Sequence, residues 1–519
     1  MNLPVVSQTI PSLRLSAVLV IASTAVLAGC AVRPDYPPGV VAPVEQACLD
    51  DFRAFDKAVS EHGSPNARLH RVAGFPHLRV TRFYAAFRDD DRLDDDEAFE
   101  RWVEQLVALG REARAIEWAT LPEGGRAEFG EDGLRALHGC AEKLAEGDLA
   151  HPERRAALRD AARAADDYST AKRVVGLYPL TRWGILFGVH RWQRGVQARY
   201  TTEPPPDLEG WAWYTPPGAE QTAALEARRL VAGAPRDALG VPRLNDGDWR
   251  RLYAAHAPIW LVEEQGGYDR IGAPYWPAPE SPRPEVDIAV EPVTYVHRDY
   301  TRLDGEVAVQ LLYGIWFPER PRTGPLDLLG GHMSGVIFRV TLAADGTPVF
   351  YDTVHQCGCY HQFHPTAALE PRARPDYAEP PLILRAPVID PGQRPVIGMR
   401  TRTHYVEHFF ALDRVPAGVT EYSYRFADYH GLERLPDGED GYRSLFGPEG
   451  IVPGTERRER WLLWPAGVPS PGAQRQYGRY MTAFVGRRHF DDPDLIPRIF
   501  DLREPPGVLE QGGAWPRRR

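Results

Sequence analysis

Apolar residues recur at two different periods in this chain, and the change falls near Ile259. Before it the spacing is helical. In 97–111, Phe99, Trp102, Val103, Leu106 and Leu109 return every three or four residues, and Leu134, Leu137, Cys140, Ala141 and Leu144 do the same in 131–146. Segment 152–172 is rich in Ala and Arg and opens on Pro152, which suits a first helical turn. After Ile259 come β-rich runs: VDIAVEPVTYVHR (286–298), EVAVQLLYGIWFP (306–318), GVIFRVTLA (335–343), then 349–354, 394–412 and 419–428. Asp345-Gly346 between two such runs marks a hairpin. The two textures predict an α+β protein, with a helical N-terminal domain followed by a β-rich, mainly antiparallel C-terminal domain.

The same pattern sets the expected boundaries. A helical domain spans 44–200, a linker with short helices 201–258, a β-rich domain 259–505, and a tail 506–519 ends the chain in three arginines. Pro204-Pro205-Pro206 and Pro216-Pro217-Gly218 punctuate the linker. Segment 173–192 is apolar and aromatic with interspersed arginines. Pro179, Gly176, Gly184 and Gly188 weaken a continuous helix there, so a buried connector between domains is expected in preference to a membrane-surface helix. Hydrophobic residues at 43% and charged residues at 25% exclude global disorder. With 71 acidic against 61 basic side chains, the net charge of −10 argues against nucleic acid as a partner.

The N-terminus carries an address. Arg14 precedes the apolar run 15–26, and Leu27-Ala28-Gly29-Cys30 follows. This run is shorter than the ~20 residues a bilayer-spanning helix needs. The segment resembles the lipobox signal of bacterial lipoproteins. That resemblance implies a signal peptide at 1–29, lipid modification of Cys30 and a proline-rich tether over 30–43. It also implies a membrane partner held through the lipid anchor. Ala31, where an aspartate would mark inner-membrane retention, favours the outer membrane, facing the periplasm.

Five cysteines are present: Cys30, Cys48, Cys140, Cys357 and Cys359. With Cys30 lipidated, an even four remain, as an oxidising compartment favours. Cys48 with Cys140 would close a loop worth at most ~4–5 kcal/mol. Cys357 with Cys359 is the other obvious pair, and cross-pairing between the two regions stays open.

The densest chemistry is YDTVHQCGCYHQFHP (351–365), which holds His355, Cys357, Cys359, His361 and His364. Thiolates and imidazoles at this density are what zinc or copper needs. On a straight strand, 355 to 361 spans ~20 Å, so a tetrahedral zinc requires a folded loop, which Gly358 permits. The competing expectation is a Cys357–Cys359 disulfide, or plain thiols, with the histidines as polar loop or core residues. Asp352, His355 and His332 form an acid–base set only if the loop gathers them. Further on, His404-x-x-Glu407-His408 resembles the HxxEH motif of inverted-zincin metallopeptidases. Its neighbours Thr401, Thr403, Tyr405, Val406, Phe409 and Phe410 favour a strand, where Glu407 faces away from both histidines.

Three functions follow from these features. The first is a lipid-anchored cell-envelope protein serving as a binding or structural module, its protein or small-molecule partner left open. The second is a metal-dependent hydrolase centred on 355–364, with zinc as the cofactor. The third is a thiol-redox protein using Cys357 and Cys359, for which no flanking lysine or arginine is visible.

Overall fold

A computed structural model describes Tyr36 and residues 42–218, 223–278, 286–373, 377–438 and 441–503. The lipobox with Cys30, nearly all of the tether and the arginine tail lie outside the described residues. Among the described residues, no helix is long and apolar enough to cross a membrane.

The N-terminal half is built on α1 (Pro43–His62), a hairpin of β1 (His70–Val72) and β2 (Phe75–Val80), α2 (Asp96–Ala119), α3 (Gly133–Ala150) and α4 (Pro152–Ala161). Asp95 caps α2 by accepting from the Ala98 N–H at 3.0 Å. The apolar positions that set the helical rhythm are those that pack: Phe52, Phe55, Trp102, Leu106, Leu144 and Leu158 share one core with Leu78 of β2. A Cys48–Cys140 disulfide joins α1 to α3 within that core. The hairpin is not visible in the periodicity. It is short and buried, and α2 lies so close that a Cβ on Gly110 would sit 2.3 Å from the His77 carbonyl oxygen. One long helix, α5 (Tyr178–Arg199), then leads out of this half.

The C-terminal half is a two-sheet sandwich. In chain order its elements are β3 (Trp211–Thr215), α6 (Ala223–Gly233), α7 (Asp246–His256), β4 (Ile259–Glu263), β5 (Val293–Leu303), β6 (Glu306–Arg320), β7 (Gly331–Leu342) and β8 (Pro348–His355). There follow β9 (Gln362–Pro365), β10 (Leu382–Ile383), β11 (Arg394–Met399), β12 (Val406–Leu412), β13 (Thr420–Ser423) and β14 (Arg425–Asp428). The large sheet runs β10-β9-β8-β7-β6-β5-β14 and the small one β12-β11-β4-β3-β13. Strands β5 to β9 form an antiparallel meander, while β10 and β14 add to its edges in parallel. The chain is therefore α+β, as the sequence texture predicts. Residues 211–215, inside the expected linker, are a strand of the small sheet.

Alternation explains the core. Val309, Leu311, Tyr313 and Ile315 of β6 face the small sheet and pack with Trp260, Ile397 and Phe409. Leu312 and Trp316 face the other way, under Tyr429, Tyr477, Tyr480 and Phe490 of the irregular C-terminal segment 429–503. The large sheet is thus covered on both faces. That is why β6 and β7 read as continuous apolar runs and not as an alternation.

Candidate functional site

Strand β8 ends at His355, and the chain reverses through the cysteine pair. The His355 N–H donates to the Cys359 carbonyl (3.0 Å) and the Gly358 N–H to the His355 carbonyl (2.8 Å). Gly358 has φ +83°, and a Cβ there would sit 2.8 Å from the Met481 carbonyl oxygen, so both conformation and space require glycine. The reversal brings β9 alongside β8 with Asp352 opposite Phe363 and Tyr351 opposite His364.

This register decides where each candidate ligand goes. Asp352 and His361 share one face as diagonal neighbours, and His361 Nε2 lies 2.8 Å from Asp352 Oδ2. His364 points to the opposite face, where its Nδ1 meets the Tyr200 hydroxyl at 3.2 Å. His355 packs against the rings of Tyr360 and Tyr405. The expected metal set of His355, Cys357, Cys359, His361 and His364 is therefore dispersed. Among the described residues no group of three or more His, Cys, Asp or Glu is arranged to hold a metal ion. The alternative of a Cys357–Cys359 disulfide is not formed either; both are free, buried thiols.

Asp352 anchors a buried polar cluster. Arg339 of β7 grips it in a fork, Nε to Oδ1 at 2.9 Å and Nη2 to Oδ2 at 2.5 Å, with both side chains almost wholly buried. Arg339 also donates to the Phe490 carbonyl (2.7 Å) and lies 3.7 Å over the Phe490 ring. Burial pushes the Asp352 carboxyl up, but Arg339 and His361 outweigh it and hold it below the usual carboxylate range. Burial dominates at His361, bringing it down to about 4 against the pull of Asp352. The imidazole is thus neutral at pH 7, donating from Nε2 to the carboxylate and leaving Nδ1 as an acceptor. His364, pushed down to about 3 by burial, is neutral too.

The two thiols differ. Cys357 is held below its ordinary value, first by the hydrogen bond from Cys359, while that same bond and then burial push Cys359 up. Arg457 and Arg475, both buried and about a hundred residues downstream, act on this pair. They supply the positive charge that the flanking sequence lacks.

Cys359 and His361 open onto a cavity of about 180 Å³ roofed by Ile185, Val189 and Trp192 of α5. Met481, Phe484 and Leu463 complete its apolar wall. Three charged side chains also reach it. Glu379 accepts from the N–H groups of Phe484 (2.8 Å) and Val485 (3.0 Å) and faces Arg488. Glu459 is pushed by burial up to about 7, against the pull of Arg320 and Arg457. Two buried polar atoms on lining residues, Trp192 Nε1 and His361 Nδ1, have no hydrogen-bond partner among the described residues.

A second cavity, of about 260 Å³, separates α2 from β5 and was not signalled by any motif. Its charges largely engage one another: Arg68 binds Glu433 at 2.7 Å and also Glu112, and the Tyr477 hydroxyl donates to Asp299. Burial lifts the Asp299 carboxyl to about 6. We regard it as a polar seam between the two halves.

The remaining motifs come apart. His404, at φ +54° in a tight turn, stacks on Phe317 at 3.9 Å and lies 3.3 Å from Asp269. Glu407 pairs with Arg199, and His408 Nδ1 meets the Glu203 carbonyl at 3.0 Å. Glu407 and His408 lie on a sheet strand, β12, and the HxxEH resemblance carries no site. Asp352 is bound to His361, not His355, and His332 contacts the Val286 carbonyl, so that acid–base set is not assembled either. Comparison with known proteins finds no family model, no curated protein and no solved structure that matches this chain.

Proposed function

We propose that this is a cell-envelope lipoprotein that binds a small, neutral, mainly apolar molecule bearing a hydroxyl group. The envelope location rests on the lipobox resemblance at Cys30. The ligand rests on one observation: an apolar-walled cavity whose lining residues carry an unpartnered indole N–H and an unpartnered imidazole nitrogen. A cavity of ~150 Å³ is enough for benzene, so this one suits a single ring or a short chain. Glu379 faces Arg488, His361 is neutral, and Glu459 is near its midpoint at pH 7. Such a lining disfavours a strongly charged guest. A guest hydroxyl would match both an indole N–H donor and an imidazole acceptor once it displaced the packing around them, whereas a plain hydrocarbon would match neither.

The test is calorimetric titration with 4-ethylphenol and ethylbenzene. The phenol is expected to bind about tenfold tighter or better, since an unmade buried hydrogen bond costs ~1–3 kcal/mol. Val189→Trp, which fills the cavity from its α5 wall, is expected to abolish binding while the circular dichroism spectrum is retained. Equal affinity for the two compounds, or binding untouched by Val189→Trp in a folded protein, refutes the assignment.

A second reading is favoured by the hydrogen-bonded, unbridged thiols beside Arg457 and Arg475. As a redox couple, the Cys357 thiolate would attack a small disulfide RSSR and expel RS⁻. Cys359 would then displace the second RS⁻, leaving a protein disulfide and two RSH. Exposure to oxidised glutathione followed by intact-mass analysis decides it. Loss of two hydrogens mapped to Cys357–Cys359 supports the couple, and unchanged free thiols reject it.

A further inference from the structure

From 168 to 202 the chain contains no Asp or Glu, yet holds Lys172, Arg173, Arg182, Arg191, Arg194 and Arg199, in a protein of net charge −10. Most of this segment is α5, which is continuous and not the buried connector its glycines suggest. Its two faces are unlike. Ile185, Val189, Trp192 and Val196 turn inward, towards the cavity and the sheet edge. Leu180, Trp183 and Phe187 fall at i, i+3 and i+7 on the outward face, and Arg191 and Arg194 continue the same stripe at i+11 and i+14.

The apolar part of this stripe does not stand alone. Val174, Val175 and Leu177 are exposed just before α5, and Trp461 and Leu462 are exposed beside it. All eight of these side chains are between 61 and 73% exposed. The two segments are fixed together: Arg173 Nε donates to the Ala466 carbonyl (2.8 Å) and the Ser169 N–H to the Gly467 carbonyl (2.7 Å). The patch is also cationic. Lys172, Arg182, Arg191, Arg194, Arg458 and Arg460 form no ion pair among the described residues, and segment 168–202 offers no carboxylate of its own to neutralise them.

We infer that this face of α5, with Trp461 and Leu462, docks on an anionic lipid bilayer. Leucine, phenylalanine and tryptophan would enter the interfacial layer, and the unpaired cations would meet lipid phosphates. Exposed apolar side chains alone would fit a protein partner equally well. The unneutralised cations around them, on an otherwise acidic protein, are what select a negatively charged surface. Lipidation at Cys30, where it occurs, would add a second membrane signal to this one. The docked orientation brings the cavity rim to the membrane, because Gly188 and Leu463 on that rim are chain neighbours of Phe187 and Leu462. The docking does not depend on the proposed ligand.

The test uses the full chain carrying Cys30→Ser, with an environment-sensitive fluorophore attached at Leu180→Cys or, as control, at Val290→Cys. Val290 is exposed near the β5–β14 edge, at the far side of the large sheet from the β10 edge that α5 contacts. Vesicles of equal phosphatidylglycerol and phosphatidylcholine are compared with vesicles of phosphatidylcholine alone. The label at 180 is expected to shift to the blue and be quenched by brominated acyl chains on the anionic vesicles. Partitioning should be about tenfold stronger or more than on neutral vesicles, and high salt should weaken it. The label at 290 should stay aqueous. Adding Trp183→Glu and Phe187→Glu should cut the response at 180 by about tenfold or more. An aqueous label at 180 on anionic vesicles, or an equal response at 290, overturns the inference. So does a blue shift at 180 that grows with protein concentration and needs no vesicles, because a second copy then covers the face.

Discussion

Replacing Asp352 by Asn removes one charge from the most buried ion pair beside the candidate site. Arg339 is 1% exposed and Asp352 fully buried, so the guanidinium keeps its charge with no water to solvate it. Breaking one partner of such a pair costs ~3–5 kcal/mol. His361 Nε2 also loses the carboxylate that accepts its proton, which adds to the loss if no acceptor replaces it. The expected outcome in urea unfolding at pH 7 is a loss of at least about 3 kcal/mol, a large share of the ~5–15 kcal/mol that holds an ordinary domain. The loss should shrink on acidification. Asp352 has a folded value below its unfolded one, so its contribution is present above the usual carboxylate range near 4 and fades as pH falls through the depressed value. The double variant Arg339→Met, Asp352→Leu should be less destabilised than Asp352→Asn alone, because no bare charge remains. A single-variant loss under about 1 kcal/mol, independent of pH, would refute the assignment of a fully desolvated pair.

Removing the Cys48–Cys140 bridge by a double Cys→Ala change should cost about 2–5 kcal/mol in non-reducing urea unfolding, with the chain-entropy limit for a sequence separation of 92 at the top of that range; an unchanged midpoint would show that the bridge does not constrain the unfolded chain. Glu459 has the opposite pH signature to Asp352. Its folded value is raised from 4.5 to about 7, so the stability associated with its protonated form is lost as pH rises across that interval, and Glu459→Gln should melt higher than the parent at pH 8 but not at pH 5. Chain purified without chelators should carry only substoichiometric zinc by plasma mass spectrometry, since the His/Cys ligands are dispersed; one zinc per chain, with Cys357 and Cys359 as ligands, would contradict that geometry.

The fold class was legible because Leu, Trp and Phe kept strict helical spacing in α2 and α3, and because Val, Ile and Phe crowded β6 and β7. The β1–β2 hairpin was not, since three- and six-residue strands carry too few alternations to register. For α5 the glycines were misleading. A helix packed along its inner face tolerates Gly184 and Gly188, whose positions have open space around them. Around the site, the sequence placed His355, Cys357, Cys359, His361 and His364 close together but could not say which face each occupied. The β8–β9 register decided that, sending His361 to Asp352 and His364 to Tyr200. Arg457, Arg475, Glu379 and Glu459 were out of reach in principle, because only the irregular C-terminal segment and its neighbours fold them over the turn.

The most direct test of the cavity as a ligand site uses Cys359 as its reporter. The rate of Cys359 alkylation by N-ethylmaleimide is followed by peptide mass mapping, with and without saturating 4-ethylphenol. Because Cys359 lines the cavity, occupancy should slow its modification in proportion to bound ligand, and Val189→Trp should slow it without ligand. An alkylation rate indifferent to saturating 4-ethylphenol would place the ligand elsewhere and contradict the account.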